Sequence, residues 1–289
     1  MLNILAIIWD WIKDMLRECI KGNLSGMFDS VNDKIGAVAA DVGTSPADWN
    51  PGIFSMIRTL SHNVIIPIAG MVLAFVLCYE LISMLTEKNN MHDFETYNLY
   101  KWAVKSVIAI YLVTHTFDIT MAIFDVGQHV VRLSAGLTAG RTSVDFAAAL
   151  GDIDTQLQAM EMGELLGLLV ETTLLKITVP ALSICIMLVV VSRMIEIYIY
   201  CSVGPIPFAT MINREWGQMG NNYLRGLVAL GLQGFFIMIC VAIYSVLVAG
   251  IGSGDSIHGA IWKCAGYTAV LCFTLFKTGA VSKAIFNAH

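Results

Sequence analysis

The chain has 289 residues, 57% of them hydrophobic and only 13% charged, with a formal net charge of -5. Its mean hydropathy is +0.72. Soluble domains carry about 25% charged residues, so this composition excludes an ordinary soluble globule and makes a bilayer the solvent.

Lipid offers a backbone no hydrogen-bond partner, so helices are the default spanning structure. Nothing here alternates over ~10-residue segments as a barrel strand does. The seven cysteines contain no CxxC pair and fall mostly in apolar runs. They read as small hydrophobes, with no disulfide framework or metal site. The fold class expected is therefore an all-α membrane protein with about five transmembrane helices.

Residues 1–60 read as an amphipathic, interfacial region. Asp10, Lys13, Asp14, Arg17, Glu18 and Lys21 form one polar stripe, and Leu5, Ile8, Trp9, Ile12, Leu16 and Ile20 form the opposite face. This pattern predicts a helix over the first twenty residues that lies in the membrane surface or packs on a partner. It is not a secretory signal, which would place its positive charge ahead of an uninterrupted apolar core. Residues 22–50 are mixed in character, and Asn50-Pro51 predicts a capped short helix to about Thr59.

Residues 61–126 hold spans one and two. The first is expected at Val64–Leu85 and the second at Trp102 to about Phe124, continuing as one helix towards Gly136 and Gly140. Residues 127–164 read as an extracytoplasmic helical segment, hairpin-like, between spans two and three. Residues 165–289 hold spans three to five: about Ile177–Tyr200 with a kink at Pro180, Leu224–Val248, and Ala260 to about Ala280. An odd number of spans puts the termini on opposite sides. Lys88, Lys101, Lys105, Arg193, Arg214, Arg225, Lys277 and Lys283 gather on one side if the N-terminus is outside and the C-terminus inside, which is the orientation the positive-inside rule prefers.

The sequence has no P-loop, HExxH, GxSxG or glycine-rich dinucleotide turn, so neither catalysis nor a cofactor is expected. The remaining chemistry lies in polar groups within spans, which are unfavourable in lipid and normally face a partner or water. His115 and Asp118 are placed to pair with Lys176, and a structural ion pair is the preferred reading over a proton relay. Gln233, beside Gly234 in span four, reads as a hydrogen bond across helices before a pore-lining group. An ion-coupled small-molecule transporter using His115, Asp118, Glu171 and Lys176 is the alternative from another class; a non-conducting scaffold is a third.

Between spans three and four stands Gly204-Pro205-Ile206-Pro207-Phe208-Ala209, followed by Arg214-Glu215-Trp216. Two prolines one residue apart remove two backbone donors and predict a break in the helix. This Gly-Pro-aliphatic turn, leading through an arginine and a tryptophan into the next apolar helix, resembles the TrbL-type polytopic inner-membrane subunit of type IV secretion and conjugation systems. The predicted topology resembles that family as well. The resemblance implies a channel or scaffold component in the cytoplasmic membrane, assembled as a homo-oligomer, a ring of five copies. It also implies partners among the other secretion-system membrane subunits and ATPases, and transient contact with single-stranded DNA carrying its relaxase, or with protein substrates. Gly204, Pro205, Pro207, Phe208, Arg214 and Trp216 are then a cytoplasmic docking turn.

Overall fold

A computed structural model describes residues 2–86, 96–138, 154–251 and 256–288, and all regular structure among them is helical. The elements are α1 (Leu2–Val42), α2 (Pro46–Trp49), α3 (Pro51–Leu60), a π-helical turn (Ser61–Ile65), α4 (Ile66–Thr86), α5 (Thr96–Thr114) and α6 (Thr116–Thr138). A short α7 over 154–159 follows. The chain closes with α8 (Met162–Val203), α9 (Pro205–Thr210), α10 (Gly217–Ala249) and α11 (Ile257–Ile285).

Among the described residues four helical stretches are long and apolar enough to cross a membrane: Pro51–Thr86, Met162–Val203, Gly217–Ala249 and Ile257–Ile285. The bent pair Tyr97–Thr114 and Thr116–Ala135 makes a fifth if it is counted as one span. At 1.5 Å per residue the 42-residue α8 is about 63 Å long, twice a ~30 Å hydrocarbon core, and it continues unbroken through Pro180.

The chain divides into two compact units, each made of three separated stretches. The first comprises Met1–Val42, Arg132–Val190 and Phe236–Lys277. Here α1 is twice the expected length. Gly22, Gly26 and Gly36 each weaken a helix by about 1 kcal/mol relative to Ala. Leu16, Ile20, Leu24 and Met27, at helical spacing, are all buried and offset that cost.

The polar stripe of α1 is engaged inside the chain and does not simply face the membrane surface. Arg17 Nε donates to Leu157 O (3.1 Å) and its Nη2 to Gln158 O (3.1 Å), capping the end of α7. Lys21 pairs with Asp154 at the start of α7, and that hydrogen bond holds its ammonium above the ordinary lysine pKa. Within α1 itself, Asp14–Arg17 (2.9 Å) and Glu18–Lys21 (3.8 Å) form ion pairs three residues apart. Ahead of this region Trp9 and Trp11 remain exposed. Helix α8 starts where the Glu164 carboxylate, in its first turn, accepts from Glu161 N–H (3.2 Å), half of a capping box. Residues 139–153, which would turn the expected hairpin, lie outside the described residues, as do 87–95.

The second unit comprises Gly43–Val131, Val191–Phe235 and Thr278–His289. Its core gathers Leu73, Val113, Phe117, Phe124, Ile197, Phe208 and Leu227. Asn50 caps α3 as expected, accepting from Ile53 N–H (3.0 Å), with Pro51 in the first turn. In contrast to the expected separate short helix, α3 then runs through the π turn into α4. That wider turn sits directly before Pro67, whose ring would meet the carbonyl of Asn63 in a regular α-helix.

The straight second span is also corrected: α5 and α6 meet at His115 with a bend of 69°. No glycine or proline causes it. Three consecutive side chains turn back on the preceding carbonyls. Thr114 Oγ1 donates to Ile110 O (2.8 Å), Thr116 Oγ1 donates to Leu112 O (2.7 Å), and His115 Nδ1 lies 3.0 Å from Tyr111 O. Such back-bonding competes with the helical ladder and bends it.

Candidate functional site

The Gly-Pro stretch is a short helix rather than an open loop. Pro205 and Pro207 occupy the first turn of α9, where backbone N–H groups have no intrahelical acceptor, so neither proline removes a bond. Phe208 N–H donates to Gly204 O (3.2 Å) and closes that turn. Pro205, Phe208, Ala209 and Thr210 are buried, and α9 packs on α4 and α5.

Close approach dictates Gly204. A Cβ there would lie 2.7 Å from the Tyr223 hydroxyl and 2.8 Å from Thr116 Cγ2. Tyr223, on α10, donates its hydroxyl to Tyr200 O (2.6 Å) and meets the Phe208 ring edge-on at 5.8 Å. The two ends of the turn are thus tied by one buried aromatic residue.

Asn213 holds the exit. It is 2% exposed. Its Oδ1 accepts from Glu215 N–H (2.7 Å) and Trp216 N–H (3.1 Å), and its Nδ2 donates to Glu80 Oε2 on α4 (3.1 Å). Glu80 also pairs with Lys105 of α5 (3.6 Å). Glu215 accepts from the Tyr79 hydroxyl (3.0 Å). The Trp216 ring stacks on Phe75 (5.6 Å) and Tyr79 (5.4 Å), one turn apart on α4. The turn is therefore latched to α4 by a carboxylate–amide bond, a phenol–carboxylate bond and an aromatic stack.

Beside the latch opens a cleft of about 750 Å³ lined by α4, α5, the 211–215 turn and the start of α10. Lys101, Lys105, Arg214 and Arg225 line it, against the two carboxylates Glu80 and Glu215. Asn98, Gln218, Asn221 and Asn222 supply neutral donors around them. Among the described residues no group of three or more His, Cys, Asp or Glu is arranged to hold a metal ion.

The predicted polar groups within spans have local partners. In place of the expected ion pair, Lys176 Nζ donates to Asn23 Oδ1 (3.1 Å) in the first unit, and Asp118 lies 3.8 Å from Arg58 in the second. The Arg58 guanidinium also stands 6.0 Å from the Phe117 ring centroid. His115 is stacked on Tyr111 at 4.3 Å and forms part of the α5–α6 bend. Glu171 pairs with His258 (2.7 Å). Gln233 Nε2 on α10 donates to Thr278 Oγ1 on α11 (3.4 Å), while its Oε1 is buried and has no partner among the described residues.

Sequence reasoning gave Asn213, Glu80, Tyr79 and Tyr223 no role in holding the turn. Asn213 alone carries a legible signal, since asparagine side chains favour turns by accepting from a backbone N–H two residues on. The other three are ordinary tyrosine and glutamate positions whose roles arise from long-range contacts. Lys101, Lys105 and Arg225 enter the sequence argument only as topological charges.

A family model described as TrbL/VirB6 plasmid conjugal transfer like protein matches residues 31–205. Of the turn, the match includes Gly204 and Pro205 and stops short of Arg214 and Trp216. No curated protein and no solved structure matches the chain.

Proposed function

Because the chain belongs to the TrbL/VirB6 plasmid conjugal transfer-like family, we propose that it is the polytopic channel or scaffold subunit through which a conjugative type IV secretion apparatus moves its cargo across the cytoplasmic membrane. The observation that carries this reading is the family match over more than half of the chain, on a protein with four or five helices able to span a bilayer. The cargo proposed is single-stranded DNA with its attached relaxase, or protein.

Large apolar side chains stay exposed along the spanning helices, among them Val170, Leu174 and Ile177 on α8. Gly163 and Gly167 on the same helix have nothing among the described residues within 4 Å of an added Cβ. These faces support assembly with further copies, for which a five-membered ring is proposed, or with other membrane subunits of the apparatus.

The proposed orientation is N-terminus outside and C-terminus inside, which puts the α9 turn with Arg214 on the cytoplasmic side, facing the system's ATPases. Deleting the gene from its conjugative element should abolish transfer, and a plasmid-borne copy should restore it. Transfer at wild-type frequency without the gene would refute the proposal. Reporter fusions at residue 213 and at the C-terminus should both read cytoplasmic, and an external reading for either would overturn the orientation.

A further inference from the structure

The cation-lined cleft has more positive charge than the carboxylates among the described residues neutralise. Lys105 is paired with Glu80, and Glu215 takes the Tyr79 hydroxyl. Lys101, Arg214 and Arg225 are exposed on its walls, and none of their side chains has an ion pair or hydrogen bond among the described residues. The 33-residue α10 begins in the same wall, with Gly217 and Gln218 lining the cleft, so the positive end of its dipole adds to the field.

Two arginines with forked donors and one lysine suit a phosphate oxygen set, which accepts several charge-assisted hydrogen bonds at once. The site lies at the ends of apolar helices. Phe75 and Ile82 on α4, and Val104, Val107 and Ile108 on α5, are all exposed. Such side chains are the natural bed for acyl chains. Tyr79, Trp102 and Trp216 stand around the polar end, as aromatic residues do at headgroup depth. Nucleic acid fits less well. Non-specific single-strand sites offer free aromatic faces to bases, whereas here Trp216 is stacked on Phe75 and Tyr79, and Trp102 Nε1 is tied to Leu77 O (3.3 Å).

We propose that this cleft binds the headgroup phosphate of an anionic membrane phospholipid, of the phosphatidylglycerol or cardiolipin class, through Lys101, Arg214 and Arg225. The lipid would then sit directly against the Asn213–Glu80 latch and brace the α9 turn from the membrane side. This inference needs only the membrane-spanning architecture and holds whatever the apparatus carries.

The test is native mass spectrometry of the full-length protein in mild detergent. It is titrated with phosphatidylglycerol, phosphatidylcholine, water-soluble glycerol phosphate and a single-stranded oligonucleotide. Phosphatidylglycerol should bind at least about tenfold more tightly than phosphatidylcholine, since each basic contact near the surface is worth roughly fivefold. Glycerol phosphate should fail to displace it, because a free phosphate lacks the acyl chains. The combined Lys101→Gln, Arg214→Gln, Arg225→Gln variant should lose the preference, while Lys277→Gln, an exposed cation elsewhere, should keep it. Equal binding of the two lipids by the wild-type chain would overturn the proposal without recourse to any variant. So would a triple variant that retains the preference, or displacement of the lipid by glycerol phosphate or by the oligonucleotide.

Discussion

Replacing Asn213 with Asp tests the latch most directly. The substitution keeps the acceptor oxygen for Glu215 N–H and Trp216 N–H and leaves the shape unchanged. It converts the donor facing Glu80 Oε2 at 3.1 Å into a second carboxylate oxygen. Two like charges at that separation repel by roughly 5 kcal/mol at an effective dielectric of about 20. The pair relieves this by holding a proton, which limits the penalty at neutral pH to about 3–4 kcal/mol. The carboxyl that takes the proton then has a folded-state pKa above its unfolded value. Its contribution to stability is present in acid and lost as pH rises, so the deficit of the variant should shrink on acidification.

Glu80→Gln alone should cost less than about 1 kcal/mol, because it gives up only the half-exposed pair with Lys105 at 3.6 Å. The double change Asn213→Asp, Glu80→Gln rebuilds a donor–acceptor pair with the polarity reversed, so it should recover most of the loss. Thermal unfolding of the four proteins in one detergent, followed across pH, measures the whole cycle. A neutral Asn213→Asp, or a double variant as unstable as the single one, would refute the latch.

Other expectations follow from the packing and the turn. A Cβ on Gly127 would lie 2.5 Å from the carbonyl oxygen of Gly231, so Gly127→Ala must push α6 from α10 and should destabilise by about 1–3 kcal/mol in the same assay. Gly167→Ala meets nothing within 4 Å among the described residues and should leave the stability of the isolated chain unchanged. If the chain assembles with further copies in nanodiscs and Gly167→Ala weakens that assembly, the face is a contact between copies; an unaltered assembly removes Gly167 from the interface. Arg214→Ala or Trp216→Ala should reduce conjugative transfer more than neutral substitutions at Asp145 or Asp152, with Trp216→Ala also losing its stack on Phe75 and Tyr79. Equal effects in the mating assay would reduce the turn to a simple connection.

Much of this architecture is determined locally and was legible in the residues alone. Apolar length selects helices in lipid, Asn50-Pro51 caps α3, and the two prolines after Gly204 end α8 wherever the rest of the chain lies. Weak local signals, by contrast, are decided by packing. The glycines of α1 did not stop it, because Leu16, Ile20 and Leu24 are buried along one face. The bend at His115 carries no breaker residue and arises from three side chains competing for ladder carbonyls.

Partner choice is the least legible property. Lys176 found Asn23, Asp118 found Arg58, and Asn213 found Glu80 across 133 positions of sequence. Any of several polar groups satisfies the same chemistry, and only the tertiary fold decides which one lies within hydrogen-bonding distance. The Gly-Pro turn was visible from the sequence as a break. That it is a helix latched to α4 beside a basic cleft was decided by the fold.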